Sequence, residues 1–233
     1  MILKTGNTLD SIRGSRGDFE DWIIERADLN PVDVTVLDAR ETDHYPSPRD
    51  FDAIFITGSQ HAVHDREPFS ERAADWIRDI VRDDRPTLGI CYGHQLLAHA
   101  LGGISDRNPN GREIGVHTVE RVTDDALFDD LPERFPVIET HMDAVIKTPP
   151  NGTIIAVNEK TPIQALAVGR KVRSVQWHPE FDADIIRAYI RERRDMIDAE
   201  SGDGTAAKLE AAVYEVDTGP ILLRNFLEHF VGS

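Results

Sequence analysis

Apolar residues along this chain recur in short β-branched runs that alternate with longer amphipathic stretches. Runs bounded by turn residues at 32–37, 52–57 and 86–90 predict strands. Residues 69–83, between the second and third of these runs, place apolar side chains at helical spacing, which predicts a helix with one buried face. Strand, helix and strand in this order are typical of a parallel sheet covered by helices.

The second half of the chain is richer in predicted strands. They are residues 114–122, 137–141, 153–158, 163–168 and 172–177. Two helices follow, at 182–199 and 221–230, and the sequence Ser-Gly-Asp-Gly at 201–204 breaks the first of them. Because no internal repeat and no long linker interrupts these elements, we expect a single domain over residues 1–233, with a C-terminal helical extension at about 183–233. The predicted fold class is α/β, with an open mixed, mostly parallel sheet and helices on both faces.

The charge of the chain excludes several classes of partner. Its 26 Lys and Arg against 42 Asp and Glu give a formal net charge of −16, which repels phosphate backbones and anionic membrane surfaces. We expect no nucleic acid and no membrane among its partners, and a cytoplasmic location, since no apolar run approaches the ~18 residues that cross a bilayer. Only 5 of the cations are Lys, and this scarcity beside abundant carboxylates predicts a halophilic source. The alternative is an ordinary acidic enzyme.

The most informative stretch of the sequence surrounds the only cysteine, Cys91. An apolar strand pattern ends at Ile90, a helical pattern follows directly, and Gly89 and Gly93 lie on either side of the cysteine. This G-x-C-x-G arrangement is typical of a nucleophile elbow, in which glycines permit a strained strand-to-helix turn. The thiol then stands at a helix N-terminus, where the partial positive charge favours the thiolate and the next backbone N–H faces a developing oxyanion. The alternative is a cysteine buried as a small apolar residue.

A cysteine nucleophile needs a base, and His178 is the best placed of the 9 histidines. It follows the apolar run 172–177 at the carboxyl end of a predicted strand, where catalytic groups gather in open α/β sheets. Pro179 fixes the backbone after it, and Glu180 is close enough to hold the imidazole in one tautomer. We therefore predict that Cys91, His178 and Glu180 form a catalytic triad.

Two segments carry a resemblance to a known family. Gly-Ile-Cys91-Tyr-Gly-His-Gln95 and Gln176-Trp-His178-Pro-Glu180 strongly resemble the two signatures of the class I glutamine amidotransferases, especially those of the amidotransferase domain of GMP synthase and the free-standing proteins similar to it. The resemblance implies a flavodoxin-like fold and hydrolysis of the side-chain amide of L-glutamine. Cys91 would attack the carbonyl to form a γ-glutamyl thioester, and His178, held by Glu180, would protonate the departing ammonia and then activate water.

The same resemblance implies further site residues. The segment 56–65 looks like the family's glycine turn, so that the backbone N–H groups of Ser59 and Tyr92 would hold the oxyanion. The implied substrate-binding residues are Gly58, Gln95, Thr140, His141 and Met142. Ser59 and Met142 stand where the family usually has glycine, so contacts at these two positions are expected to differ.

The resemblance implies no cofactor, but it implies a protein partner. The sequence contains no Gly-rich ATP-binding loop, so an ATP-dependent synthase that receives the ammonia would lie on a separate chain. One alternative keeps the triad but makes the protein a hydrolase of γ-glutamyl amides or peptides that acts alone. A non-catalytic regulatory module is a third interpretation, because a fold of this kind is widely reused.

Two polar clusters outside the triad each have a functional and a structural interpretation. The segment 61–65 holds two histidines and an aspartate that could ligate a divalent metal, but such a loop is more often polar surface, and we expect no metal site. Arg191, Arg193 and Arg194 form a basic cluster in an acidic chain. Such a cluster is more often a salt-bridged helix face than an anion site.

Overall fold

A nine-stranded sheet forms the centre of the molecule, and a computed structural model describes residues 1–232 of the chain. The strands are β1 (Ile2–Lys4), β2 (Val36–Asp38), β3 (Ile54–Ile56), β4 (Thr87–Ile90), β5 (Ile104–Arg107), β6 (Glu113–Arg121), β7 (Arg134–His141), β8 (Asp143–Lys147), β9 (Gly152–Val157), β10 (Ala165–Val168) and β11 (Val172–Val175). Their order in the large sheet is β2-β1-β3-β4-β11-β10-β9-β6-β7, and β5 and β8 form a separate antiparallel ribbon.

The large sheet has a parallel half and an antiparallel half. β2, β1, β3, β4 and β11 run parallel to one another, whereas the pairs from β11 through β10, β9 and β6 to β7 are antiparallel. Short turns such as 169–171 between β10 and β11 leave no room for the crossover helix that a parallel connection needs. The predicted α/β class with a mixed sheet is confirmed.

Helices cover both faces of this sheet. They are α1 (Asp10–Arg16), α2 (Phe19–Arg26), α3 (Pro68–Arg82), α4 (Tyr92–Ala100), α5 (Ala183–Glu192), α6 (Arg194–Ser201), α7 (Thr205–Ala212) and α8 (Thr218–Phe226). Ile54 and Ile56 pack with α3 and α4 on one face, and Phe55 packs with α2 and α8 on the other, as the alternation of side chains along a strand requires. No helix within residues 1–232 is long and apolar enough to cross a membrane.

Some elements differ from those that the sequence predicts. The strand predicted at 32–37 is wrong at its start, because Pro31–Asp33 forms a 3-10 turn that Pro31 favours through its fixed φ, and β2 begins only at Val36. The helix predicted at 182–199 is two helices, α5 and α6, which are separated at Arg193 (φ −101°, ψ 14°). The sequence pattern misses β1, α1, α2, β5, β8 and α7. β1 and the ribbon strands are too short for a period to be recognised.

Three parallel strands that are distant in sequence end side by side. β4 lies between β3 and β11 in the sheet. The chain that follows β3 supplies Gly58 and Ser59, Cys91 directly follows β4, and His178 lies just beyond β11. The carboxyl edge of the sheet therefore brings these segments together, as the switch-point rule for open α/β sheets predicts.

Candidate active site

Cys91 lies in a strained turn between β4 and α4. Its φ of 52° and ψ of −100° belong to a region of backbone space that residues other than glycine rarely adopt. The turn is possible because the neighbouring backbones approach closely: a Cβ on Gly93 would overlap the carbonyl oxygen of Ile56, and one on Gly89 would lie 2.8 Å from the carbonyl oxygen of Gly93. The nucleophile elbow that the sequence predicts is present, with Cys91 at the N-cap of α4.

His178 is held by Glu180 and by two aromatic rings. Its Nδ1 lies 2.7 Å from Oε1 of Glu180, and both side chains are buried. The imidazole stacks on Phe181 with ring centroids 4.1 Å apart and on Phe19 at 6.0 Å, two contacts that the sequence pattern does not reveal. An ionised carboxylate only accepts hydrogen bonds, so Nδ1 carries a proton and Nε2 is left for another partner.

The charges around His178 favour its protonated form. Burial acts to lower the pKa of the imidazole, but the charges of Glu180 and Cys91, and hydrogen bonds to both, raise the pKa of His178 to about 10. At neutral pH His178 is therefore an imidazolium.

Gln176 contacts Cys91, and the sequence pattern gave it no role. Its Nε2 lies 3.6 Å from Sγ of Cys91, and its Oε1 accepts a hydrogen bond of 3.1 Å from Nε2 of Gln95. Nε2 of Gln95 also donates to the main-chain oxygen of Asp143 at 2.9 Å, which leaves the carbonyl oxygen of Gln95 for a ligand. Gln176 precedes His178 by two positions, and this period-two spacing at a strand end is the signal that could have identified it.

The segment after β3 approaches His178 closely. A Cβ on Gly58 would lie 3.0 Å from Cε1 of His178, so the close approach favours glycine at this position. The hydroxyl of Ser59 donates to the main-chain oxygen of Thr5 at 3.0 Å, which fixes this side chain against the end of β1. The backbone N–H of Tyr92 lies in the first turn of α4, where N–H groups lack partners within the helix.

A cavity of about 470 Å³ opens at this edge of the sheet. Its lining includes Cys91 and six of the predicted residues, Ser59, Tyr92, Gln95, Thr140, His141 and Met142. Gly58, His178 and Glu180 do not line it. Arg193 and Met196 also line the cavity, so the C-terminal helices contribute to its wall, a contribution that the sequence analysis did not foresee.

Both ring nitrogens of His141 contact oxygen atoms of the protein. Nδ1 lies 3.0 Å from the main-chain oxygen of Asp143, and Nε2 lies 2.9 Å from Glu139 and 3.4 Å from Glu113. Because the main-chain oxygen of Asp143 only accepts, Nδ1 carries a proton, and the neighbouring carboxyl groups favour a second proton on Nε2. Burial acts to lower the pKa of His141, but the two carboxylates raise it to about 10. The ring therefore has no hydrogen bond left to donate to a substrate.

Two buried carboxylates that the sequence analysis missed lie beneath the turn at His141. Nδ2 of Asn158 donates to Glu113 at 2.8 Å, and Nε2 of Gln164 donates to Glu139 at 2.9 Å. The ligand atoms of Glu113, Glu139 and His141 lie within 4.8 Å of one another, a donor set that a divalent cation could use. Because protonated His141 and the two amides already satisfy these carboxylates, the cluster is an ion-pair network without need of a metal.

The histidine segment 61–65 does not converge on one point. Nδ1 of His61 pairs with Glu67 at 2.6 Å, whereas Nδ1 of His64 lies 3.5 Å from Asp143. Within residues 1–232 these histidines belong to no group of three possible metal ligands. Their pairing with separate carboxylates agrees with the structural interpretation.

Comparison with known proteins adds independent findings. The glutamine amidotransferase class-I family matches residues 15–192, a range that contains the elbow and the His178–Glu180 pair. The chain is 44% identical over 101 residues to the GMP synthase (glutamine-hydrolyzing) of Aeropyrum pernix, a match that covers 43% of this chain and 20% of that protein. It is 24% identical over 218 residues to gamma-glutamyl peptidase 5 of Arabidopsis thaliana, covering 91% of this chain and 83% of that protein.

A solved structure of another protein has a similar fold over the whole length of this chain. The crystal structure of a glutamine amidotransferase from Thermotoga maritima superposes with a TM-score of 0.75 at 25% sequence identity, covering 100% of this chain and 98% of that chain. The fold is therefore that of the class I amidotransferases, and the family match covers most of the sequence. The chain belongs to the glutamine amidotransferase class-I family, and the expectation that it is an enzyme of this class is confirmed.

Proposed function

We propose that this chain hydrolyses the side-chain amide of glutamine through a triad of Cys91, His178 and Glu180. The observation that supports it most is the convergence of three strand ends: the elbow after β4 presents Cys91 beside His178, whose Nδ1 is fixed 2.7 Å from Glu180. A strained nucleophile, a base and an orienting carboxylate are the parts that covalent amide hydrolysis requires.

The first half-reaction forms a thioester. The Cys91 thiolate attacks the side-chain carbonyl of glutamine, and the N–H groups of Ser59 and Tyr92 hold the oxygen that becomes negative. When the carbonyl re-forms, the carbon–nitrogen bond breaks and the imidazolium of His178 gives its proton to the departing ammonia. Glu180 stabilises the imidazolium and keeps the ring in position.

The second half-reaction returns the enzyme to its starting state. Neutral His178 removes a proton from water, and the resulting hydroxide attacks the thioester carbonyl. The carbon–sulfur bond then breaks, which releases glutamate and restores the thiolate beside an imidazolium. The mechanism needs no cofactor, since both proton transfers use the same imidazole.

The proposed recipient of the ammonia is an ATP-dependent synthase on a separate chain, similar to GMP synthase. This part of the proposal is supported by the match that covers only 20% of the Aeropyrum pernix GMP synthase, since the remaining length of that protein has no counterpart in the match. The proposed location is the cytoplasm, where a reducing environment keeps a lone catalytic thiol free of disulfides.

A second candidate function is hydrolysis of γ-glutamyl peptides without a partner. The observation in its favour is coverage, since gamma-glutamyl peptidase 5 aligns with 91% of this chain, whereas the GMP synthase aligns with 43%. The thioester chemistry is the same for both candidates. They differ in the group that leaves and in the need for a partner.

The experiment that separates the two candidates uses the purified chain alone. Ammonia release from L-glutamine and glycine release from γ-glutamylglycine are measured at equal concentrations, with Cys91→Ala as the blank. We expect slow glutamine hydrolysis that increases when the synthase, ATP and acceptor are added, because docking organises the oxyanion site and excludes water. If the chain cleaves γ-glutamylglycine far faster than glutamine, the peptidase function replaces the amidotransferase function.

A further inference from the structure

The basic cluster of the C-terminal helices contains two kinds of arginine. Arg191 and Arg194 are largely exposed and both pair with Glu210, at 2.7 and 3.3 Å, so they form the salt-bridged helix face that such a cluster usually makes. Arg193 lies at the break between α5 and α6 and faces the other way, into the cavity that contains Cys91. One position of the cluster is therefore directed at the site.

The side chain of Arg193 is fixed in place without a charged partner. Its Nη1 donates to Oγ1 of Thr140 at 2.8 Å, and its guanidinium lies 5.1 Å from the ring centre of Tyr189. Of the 21 arginines, 16 have a carboxylate within 4.0 Å, and within residues 1–232 Arg193 is one of the five that have none. In a chain of net charge −16, an unpaired arginine in the site is unusual.

The other arginines of the cavity are less suited to bind an anion. Arg112 is neutralised by Glu200, whose two oxygens lie 2.9 and 3.2 Å from its guanidinium. Arg107 is exposed and lies opposite Asp143 in the register of β5 and β8. Arg193 remains as the half-buried cation whose charge is not matched by the protein.

Burial of an unmatched cation has a cost that an incoming anion can offset. Burial lowers the pKa of Arg193 and nearby Arg112 acts in the same direction, while the charges of Tyr189 and Cys91 oppose it. A guanidinium has five N–H donors in a planar fork, so the hydrogen bond to Thr140 leaves donors for two carboxylate oxygens. The site is thus preorganised for a carboxylate.

We propose that Arg193 binds the α-carboxylate of the γ-glutamyl group and selects substrates that carry it. The inference rests on the proposed function, in which the side-chain carbonyl of the same molecule lies at Cys91. Thr140, which fixes Arg193, is one of the residues expected to bind the substrate, and both residues line the cavity with Cys91. The α-carboxylate is the only anionic group of glutamine, and the remaining surface of this acidic protein repels it.

The test compares L-glutamine with 4-aminobutanamide, which is glutamine without its α-carboxylate. Both release ammonia from the same amide, and Cys91→Ala supplies the blank. We expect the wild-type chain to prefer glutamine by about 10- to 100-fold in kcat/KM, as the loss of a charge-assisted hydrogen bond implies. Arg193→Met should lower kcat/KM for glutamine by a similar factor, mainly through KM, and change hydrolysis of 4-aminobutanamide by less than about twofold.

Two further variants keep the test decisive. Arg191→Met makes the same substitution two positions away, at a residue paired with Glu210. It should leave kcat/KM unchanged for both substrates. Arg193→Lys keeps the charge and should recover part of the preference, so a folding defect in Arg193→Met does not end the test.

Three outcomes would overturn the proposal. One is a wild-type chain that hydrolyses both amides equally well. Another is an Arg193→Met variant that loses activity on both substrates by the same factor, which would make Arg193 a structural part of the wall. A wild-type chain that releases no ammonia from either compound would overturn the proposed function itself, and this inference with it.

Discussion

His178 and His141 stand in two turns of the same site, and both are buried imidazolium groups beside carboxylates. Both have a pKa raised to about 10. His178 gives one ring nitrogen to Glu180 and keeps the other side of its ring for Cys91, whereas both nitrogens of His141 are occupied by Asp143 and the carboxylates below it. A raised pKa therefore does not by itself identify a histidine that transfers protons. Such a histidine is identified by a ring nitrogen that has no hydrogen-bond partner among the structural residues around it.

The largest expected difference between the two histidines is in catalysis. His178→Gln removes the group proposed to protonate ammonia and activate water, so kcat for ammonia release should fall by roughly 10⁴-fold. His141→Gln keeps a side chain that can still donate to the carboxylates, and kcat should stay within roughly tenfold of the wild type. Steady-state ammonia release at saturating glutamine measures both. Equal losses in the two variants would remove the distinction.

In folding stability His141 should contribute far more than a histidine whose carboxylate partner is exposed. His141→Gln removes the cation that balances Glu113 and Glu139, and breaking a buried ion pair from one side costs roughly 3–5 kcal/mol. His99→Gln is a matched control, because its partner Glu71 is exposed and such pairs contribute about 0–1 kcal/mol. Urea unfolding at pH 7 gives the free energy of unfolding for each. Losses of the same size in both variants would show that the network beneath His141 is not specially stabilising.

A smaller effect is expected in the dependence of stability on pH. Folding raises the pKa of His141 and His178 from about 6.5 to about 10, so their contribution is complete below pH 6.5 and is lost as the pH rises toward 10. Burial opposes ionisation of Glu113, but His141 and Thr161 hold its pKa at about 2, so its contribution is lost only as the pH falls from 4.5 toward 2. The melting temperature should therefore be lower at pH 9.5 than at pH 6.5, and His141→Gln should flatten this decline. A wild-type melting temperature that does not fall between pH 6.5 and pH 9.5 would contradict the assignment of positive charges to His141 and His178.

The sequence predicts the part of the site around Cys91 and His178 better than it predicts the other residues that line the cavity. The elbow and the His178–Glu180 pair are local, since each lies within five residues of its strand end, and the strand order brings them together. Gln176 and Arg193 were missed as functional residues because their partners in the site, Cys91 and Thr140, lie far away in sequence. The break in the predicted helix 182–199 shows the same limit: its apolar pattern continues across Arg193, and only the packed structure shows that this position turns toward the cavity.

The smallest expected effect is that of salt on folding stability, which should act on the charged surface and hardly at all on the buried ion pairs. A net charge of −16 should make the melting temperature rise by a few degrees from low to molar KCl, because the Debye length shortens from ~30 Å at 0.01 M to ~3 Å at 1 M. The loss of stability in His141→Gln should stay nearly constant over the same range, since buried pairs are screened much less. A melting temperature that falls or does not change with salt would remove the argument for a halophilic source and leave the triad untouched.

Covalent labelling tests most directly whether Cys91 is the nucleophile. The chain is treated with a glutamine analogue that carries an electrophile in place of the side-chain amide, and the adduct is located by peptide mass spectrometry in the wild type and in Cys91→Ala. We expect one adduct per chain, on Cys91, together with loss of ammonia release in the variant; because Cys91 is the only cysteine, the assignment is unambiguous. Ammonia release that persists in Cys91→Ala, or an adduct on another residue, would show that Cys91 is not the nucleophile.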